Sequence, residues 1–440
     1  MKRILLLIAL LFIGTSSSNA DQTININSTD EKQTIWGFGA TFTDPQKGWL
    51  KALPSGQQNR AYDKLFRNDG NNAGLTIAQI RVEYVDFKED MDDGTWDFNG
   101  VKTQSLKWLT QKAAWEYGVF HFIARVSSPA GWMKDSGVLP GGSLLPEYYN
   151  PYGKSLKEWV MQFDGEWGVP ILQVTPCNEP TVEGDYPTCI YSPDQLDVVA
   201  DKVVAHMAYY DSTIMVGIAD GKSYADTRDF WDGLSSATQS KMSYLSTHAY
   251  HGQGNQLKNL NKPVLHTEIC QVYGEKDLSM TEAMKWVKNY IHPSMQRFEV
   301  AWLHWLFVAD TSLSGNRSLV LVNTENDTLT FPKRLFTLGQ YSRFLQPGNI
   351  VVYSRSDNDD ILPTVAKTPT GKMRAVVANK SANYAMDVTI TGLTPNSTLT
   401  VRRTSDTEDL QWLTNDLSVD SAGTVTFKLK ENSVTSFREN

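Results

Sequence analysis

The chain has 440 residues, 41% of them hydrophobic and 20% charged, which is ample for a large core and a second domain. A formal net charge of −8 without any basic cluster argues against nucleic acid or an anionic membrane surface as partner. Three Cys (Cys177, Cys189, Cys270) are too few for a disulfide scaffold, and scarce His with no CxxC, HExxH or glycine-rich phosphate loop points to no metal and no cofactor.

Residues 1–20 carry Lys2 and Arg3, then the apolar run ILLLIALLFIG, then Ser18-Asn19-Ala20. That pattern predicts a secretory signal peptide, with no Cys at the cleavage point to hold a lipid. No other run is long and apolar enough to span a bilayer, so the expectation is an exported protein, secreted or periplasmic, with no membrane insertion. Residues 21–33 include TININ, which alternates and predicts an N-terminal strand that completes a later β domain.

From 34 to 346 short apolar runs alternate with stretches of helical spacing. The first four strand candidates are TIWGFGA (34–40), IAQIRVE (77–83), FHFIARV (120–126) and PILQVT (170–175). The next four are TIMVGI (213–218), SYLST (243–247), PVLHT (263–267) and FEVAWL (298–303). Helical segments such as SLKWLTQKAAWEY (105–117) and YGKSLKEWVMQF (152–163) separate them. Eight such cycles predict a (β/α)8 TIM barrel, with a doubly wound open sheet as the alternative. Residues 347–440 change texture. Strand candidates at 350–354, 374–378, 386–391, 397–402 and 424–429 are separated by Asn/Gly/Asp/Ser turns, predicting an antiparallel β-sandwich domain.

In a barrel of this kind the active site lies where the strands end at their carboxyl side. The run VPILQVTPCNEP ends abruptly in Asn178-Glu179-Pro180, and most of the other runs also end in polar or aromatic residues. The second gives Arg81, Glu83 and Asp86; the third Ser127, Ser128 and Trp132; the fifth Asp220. The sixth gives His248 and Tyr250, the seventh Glu268, and the eighth His304 and Trp305. Two carboxylates across a cleft suit hydrolysis of a glycosidic bond, where one donates a proton and the other attacks or activates water. Rim aromatics suit the C–H faces of sugars; Trp132, Trp302 and Trp305, with Trp36 and Trp49 near the first strand, are candidates, although core packing is the ordinary place for a Trp.

These pieces resemble glycoside hydrolase family 30, a family of retaining β-glycosidases on (β/α)8 barrels. The resemblance rests on IWGFGATFTD, SSPAGWMK, GGSLLP, NEP, DYPTC, THAY, HTE and KRLFTLGQYSRFLQPG, and it runs over nearly the whole mature sequence. It implies Glu179 as general acid/base, Asn178 on the sugar 2-hydroxyl and Glu268 as nucleophile. It also implies Tyr250 orienting Glu268 with Arg81 nearby, and His248, Trp132 and Trp305 lining the sugar subsite. No metal or cofactor is implied. Two departures, Cys177 where Gln is usual and Gly131 where Ala or Pro is usual, leave the chemistry intact. A third concerns FVADTSLSGNRSLV (307–320), where family members that cut glucuronoxylan grip the glucuronate with an arginine; here only Arg317 is available.

The resemblance implies a β-glycan polysaccharide or oligosaccharide as substrate, with β-1,4-xylan first and a β-1,6-glucan or a glucosylceramidase-like β-glucoside as alternatives. A reading of another class is a non-catalytic carbohydrate-binding protein on the same barrel. The sandwich is read as a structural domain rather than a binding module, with Trp412 its sole Trp. A monomer is the expected state. Cys177 and Cys189 form a disulfide, or all three thiols are buried and free.

Overall fold

A computed structural model describes residues 22–83 and 97–440. The signal-peptide reading of residues 1–20, and Asp86, lie outside the described residues. Strand β1 (Gln22–Thr34) comes first, followed by β2 (Gly37–Phe42), helices α1 (Pro45–Ala52) and α2 (Ser55–Phe66), and β3 (Ile77–Glu83). Then come α3 (Val101–Gln111), β4 (His121–Ser128), α4 (Tyr149–Met161), β5 (Ile171–Thr175), α5 (Pro193–Tyr210) and β6 (Met215–Gly221). They are followed by α6 (Tyr224–Gly233), α7 (Ser236–Lys241), β7 (Tyr244–His248), β8 (Val264–Glu268), α8 (Met280–Trp286), α9 (His292–Gln296) and β9 (Ala301–Asp310). β2 to β9 pair in sequence order, all parallel, and β9 pairs back with both β2 and β8 to close an eight-stranded barrel. Strands buried on both faces explain the continuous apolar runs: every residue of β2 and β4 is buried.

The eighth strand differs from its expected form. β9 does not stop at 303 but runs to Asp310, because β10 (Ser318–Asn323) adds beside its second half and β11 (Thr328–Thr330) folds back on β10. The loop read at 307–320 is therefore only 311–317. Arg317 in it donates Nε to the Ser314 carbonyl and Nη2 to the Val272 carbonyl, each at 2.9 Å. His304, read as a strand end, is buried mid-strand with its ring 5.3 Å from Trp286 of α8. Trp302 is also buried, stacked on His266 at 5.5 Å. Trp36 lies at the amino end of the barrel, edge-on to Tyr244 at the start of β7, opposite the rim where chemistry was expected. Trp49 sits on α1, partly buried against the core. None of the last three tryptophans is a rim aromatic.

After α10 (Lys333–Phe344) the chain forms β12 (Ile350–Ser356), β13 (Ile361–Lys367), β14 (Met373–Asn379), β15 (Met386–Thr391), β16 (Thr398–Ser405), β17 (Glu408–Ser418), β18 (Val425–Leu429) and β19 (Ser433–Glu439). With β1 they make a separate nine-stranded sheet, in the order β17-β16-β19-β14-β13-β12-β1-β15-β18. It encloses its own core, including Ile24, Val365, Val377, Val388, Val401 and Phe437. The pairing is not wholly antiparallel as expected. β1 runs parallel to β15, because it enters from the far side of the barrel sequence and no hairpin fixes its direction. Helix α10 joins the two bodies. Its buried Gln340 donates to Thr404 Oγ1 at 2.9 Å and accepts from Ser436 Oγ at 2.6 Å. At Gly339 a Cβ would stand 2.7 Å from Leu410 and 2.9 Å from Ala73, so only glycine allows the helix to sit this close. All three Cys are buried and unbridged.

Candidate active site

Four β-bulges build the rim. The register between neighbouring strands skips one residue at Ser127 on β4, Asp220 on β6, Thr267 on β8 and Trp305 on β9. A bulge re-aims side chains out of the pleat, and here each sits at or near the carboxyl side of the barrel. Backbone strain marks the same place: Glu179 has φ 44° and Asp220 φ 54°, both in the left-handed region. The Glu179 amide donates to the Asp220 carbonyl at 2.9 Å, which ties the end of β5 to that of β6.

Glu268 ends β8 and is fixed at both oxygens. Tyr250 OH donates to Oε1 at 2.9 Å and Arg125 Nη2 donates to Oε2 at 2.7 Å. Burial pushes its carboxyl above the usual range, against the pull of His248 and Arg125 in the other direction. Glu179 is held differently. Its Oε2 accepts from Tyr186 OH at 3.1 Å, and its Oε1 lies 3.0 Å from His248 Nδ1. Burial raises its proton affinity, but the hydrogen bond and charge of His248 outweigh burial, so the carboxyl sits below the usual range.

His248 joins the two carboxylates. Its Nε2 is 3.1 Å from Asp220 Oδ2 and 3.9 Å from Glu268 Oε2. Burial alone would lower the imidazole pKa; the surrounding carboxylates of Asp220 and Glu268 win, and it is raised to about 10. Asp220 is buried, receives Thr267 Oγ1 at 2.5 Å and has Arg125 Nε at 3.6 Å, so its carboxyl is lowered despite burial. The site thus stacks two cations among three carboxylates.

The other expected residues fall as follows. His248 has no exposed surface, so it does not line a sugar subsite directly; it bridges the carboxylates instead. Trp305 is half-buried, with the Arg125 guanidinium 5.3 Å from its ring. Trp132 packs edge-on to Tyr148, and its Nε1 has no hydrogen-bond partner among the described residues. Asn178 is buried, and its Oδ1 likewise has no partner there. Arg81 Nε donates to Ser127 Oγ at 2.8 Å; the guanidinium that bonds Glu268 belongs to Arg125. Cys177 donates Sγ to the Ala219 carbonyl at 3.0 Å. Gly131 is enforced locally: a Cβ would stand 2.9 Å from the backbone of Gly137 and Val138.

Sequence reasoning missed Arg125 and Tyr186 as members of the site and gave Asp220 no role. A charged residue inside the otherwise buried run FHFIARV was the available signal for Arg125. Tyr186 had none beyond the quoted DYPTC. Lys134 explains why WMK, GGSLLP and DYPTC occur together: its buried ammonium donates to the carbonyls of Leu139, Gly141 and Thr188, pinning the three loops to one another.

No protein-family model matches the sequence. The chain is 22% identical over 441 residues to a putative glucosylceramidase of Caenorhabditis elegans, covering 88% of this chain and 84% of that protein. It is 23% identical over 411 residues to an endo-1,6-β-D-glucanase of Neurospora crassa, covering 84% of each. In fold it is similar to the catalytic domain of a family 30 xylanase from Talaromyces cellulolyticus, with TM-score 0.82, 20% identity, and 95% and 100% of the two chains covered. In sequence the chain is thus similar to glucosylceramidase-like and endo-1,6-glucanase proteins, and in fold to a glycoside hydrolase of family 30, the family that its motifs resemble.

Proposed function

We propose that the chain hydrolyses a β-linked glycan with retention of configuration, with Glu268 as nucleophile and Glu179 as general acid/base. The observation that carries this reading is the unequal support of two rim carboxylates on either side of one buried imidazole. Glu268, fenced by Arg125 and Tyr250, is fixed in place, and its raised proton affinity makes the ionised form a better nucleophile. Glu179 shares a hydrogen bond with a histidine that carries a proton up to about pH 10.

In the first step Glu268 attacks the anomeric carbon and the glycosidic bond breaks. The leaving oxygen takes its proton from Glu179, giving a glycosyl ester on Glu268. For that step Glu179 must carry the proton, and since His248 holds its carboxyl below the usual range in the free site, a bound sugar that displaces water from it must raise its proton affinity. In the second step Glu179 takes a proton from water, the water oxygen attacks the anomeric carbon, and Glu268 is released. Asn178 Oδ1, buried without a donor among the described residues, would accept from a sugar hydroxyl. Trp132 and Trp305 offer ring faces and, at Trp132 Nε1, a donor.

A β-1,4-xylan is the first substrate, attacked internally; the fold likeness to a xylanase supports it. Recognition of a glucuronate branch is not part of the proposal, since Arg317 is engaged with two loop carbonyls. A β-1,6-glucan is the second reading, favoured by the Neurospora crassa relative. Residues 1–20 would direct export.

The test is a product profile on glucuronoxylan, unbranched β-1,4-xylan, β-1,6-glucan and an aryl β-glucoside, with Glu268→Gln as the blank. NMR would follow the anomer released first. Release of xylo-oligosaccharides as the β-anomer is the expected result. An α-anomer would sink the double displacement, β-1,6-glucan cleavage alone would replace the substrate, and a wild type equal to the blank would favour a carbohydrate-binding protein.

A further inference from the structure

A second polar cleft, which shares no lining residue with the rim site, lies where α10 meets the nine-stranded sheet. It has a volume of about 350 Å³, and its lining includes Arg343, Arg374, Arg402, Arg438 and Trp412 but no Asp or Glu. In a chain with net charge −8, four arginines around one cavity with no Asp or Glu in its lining is not a consequence of composition. None of the four forms an ion pair with a carboxylate among the described residues.

The sheet arranges them deliberately. On adjacent antiparallel strands Arg374 stands opposite Arg438, Arg438 opposite Thr400, and Arg402 opposite Trp412. Like charges directly opposite one another destabilise a strand pair, so the Arg374–Arg438 pairing works against folding unless something offsets it. Carbonyls hold the guanidinium groups in place. Arg343 Nη1 donates to Gly70 at 2.8 Å, Arg402 Nη1 to Gly70 at 2.8 Å and to Leu410 at 3.0 Å, and Arg374 Nη1 to Met373 at 3.0 Å and to Glu439 at 2.8 Å. Carbonyl dipoles fix the forks without neutralising them. Burial and the neighbouring Arg402 push Arg343 down to about 10, against the smaller opposing pull of Asp69. Beside them Trp412 is 51% exposed, an indole that the sheet does not use for its core.

We propose that this cleft binds an anionic glycan: guanidinium forks take the carboxylates of uronate residues and Trp412 stacks on a sugar ring. Arg forks match carboxylate geometry in two parallel bonds, and an indole face matches a pyranose C–H face. The site would hold acidic polymer on the β domain while the barrel works elsewhere on it. It also supplies the acid recognition that Arg317 does not offer at the barrel. The inference does not depend on which backbone the barrel cleaves, because its test reads binding and not turnover.

The experiment uses the full chain carrying Glu268→Gln, titrated with a uronate trisaccharide, a neutral trisaccharide and inorganic sulfate, following heat and tryptophan fluorescence. The uronate sugar should bind at least about 10-fold more tightly than either control and weaken as salt is raised. Arg438→Gln and Trp412→Ala, both at exposed side chains, should each weaken it at least about 5-fold, and Trp412→Ala should remove the fluorescence change. In the chain with Glu268 intact both should leave aryl β-glycoside turnover unchanged. Equal binding of the neutral sugar, sulfate binding as tight as the uronate, absence of uronate binding, or uronate binding that survives both variants would each overturn the proposal.

Discussion

Two regions gather positive charge in this molecule, and they handle it in opposite ways. At the barrel rim Arg125 and His248 are buried, and each meets carboxylates: Glu268 and Asp220 for Arg125, all three for His248. In the cleft by α10, Arg343, Arg374 and Arg402 are half-buried and Arg438 is exposed, and their partners are carbonyls and one another. Removing a cation from water is costly, so a fully buried one persists only with opposite charge beside it. Near solvent the cost is small enough for net charge to accumulate. The paired set neutralises its own members; the unpaired set leaves positive charge facing solvent, where the proposed anionic ligand would bind.

The largest effect should come from the carboxylates served by the paired set. Glu268→Gln should abolish turnover on every substrate, activated aryl glycosides included. Glu179→Gln should lose about 10²–10⁴-fold on poor leaving groups and much less on an activated aryl glycoside, whose departure needs no proton. Comparable rates for wild type and Glu268→Gln in initial-rate assays would undo the assignment.

Stability separates the two regions next. Arg125→Gln strands the Glu268 and Asp220 carboxylates, and loss of one partner from a buried pair costs about 3–5 kcal/mol. Arg438→Gln, at an exposed position opposite Arg374, should stay within about 0.5 kcal/mol of wild type or be slightly stabilising. Urea unfolding of both variants measures the contrast, and equal losses would erase it.

pH should move the regions in opposite directions. The folded pKa of His248, about 10, exceeds the unfolded value of about 6.5. Its contribution to stability is therefore complete below about pH 6.5 and lost as pH rises through about 10. Arg343, lowered to about 10, is relieved of repulsion only above that pH. Urea midpoints for wild type should fall between pH 7 and 10, and for His248→Gln the fall should be shallower; parallel curves would count against the proton on His248. The smallest effect on turnover is expected at Tyr186, where Phe removes one hydrogen bond to Glu179, worth about 0.5–1.5 kcal/mol. That corresponds to roughly a 2–10-fold loss in kcat/KM on poor leaving groups. The activated aryl substrate should be nearly indifferent, and an equal loss on both would point to a positioning role unconnected with the proton.

Much of this was legible in the sequence because it is locally encoded. Strands buried on both faces must be apolar throughout, so all eight barrel strands were visible as runs, and Asn178, Glu179, His248 and Glu268 marked where those runs end. The sheet after α10 was harder to read. Its strand β13 carries Pro363, while β17 and β19 are rich in polar residues, so five strands were expected where eight form. Strand limits on β9 were set by β10, a partner that contributes nothing to the local pattern of 298–303.

The sequence by itself determined the repeating strand–helix order, the two catalytic candidates and the motif pieces of the resemblance, since these depend on residue types at short spacing. Only the tertiary structure decided who partners whom. Arg125 rather than Arg81 bonds Glu268, because bulges and barrel closure place β4 against the end of β8 across the rim. His248 became a bridge because three different strands deliver carboxylates around one imidazole. Arg343, Arg374, Arg402 and Arg438 are scattered over 96 positions of sequence (343 to 438) and carry no local signal. Strand order in the sheet and the docking of α10 bring them to one cavity, and no spacing along the chain encodes that convergence.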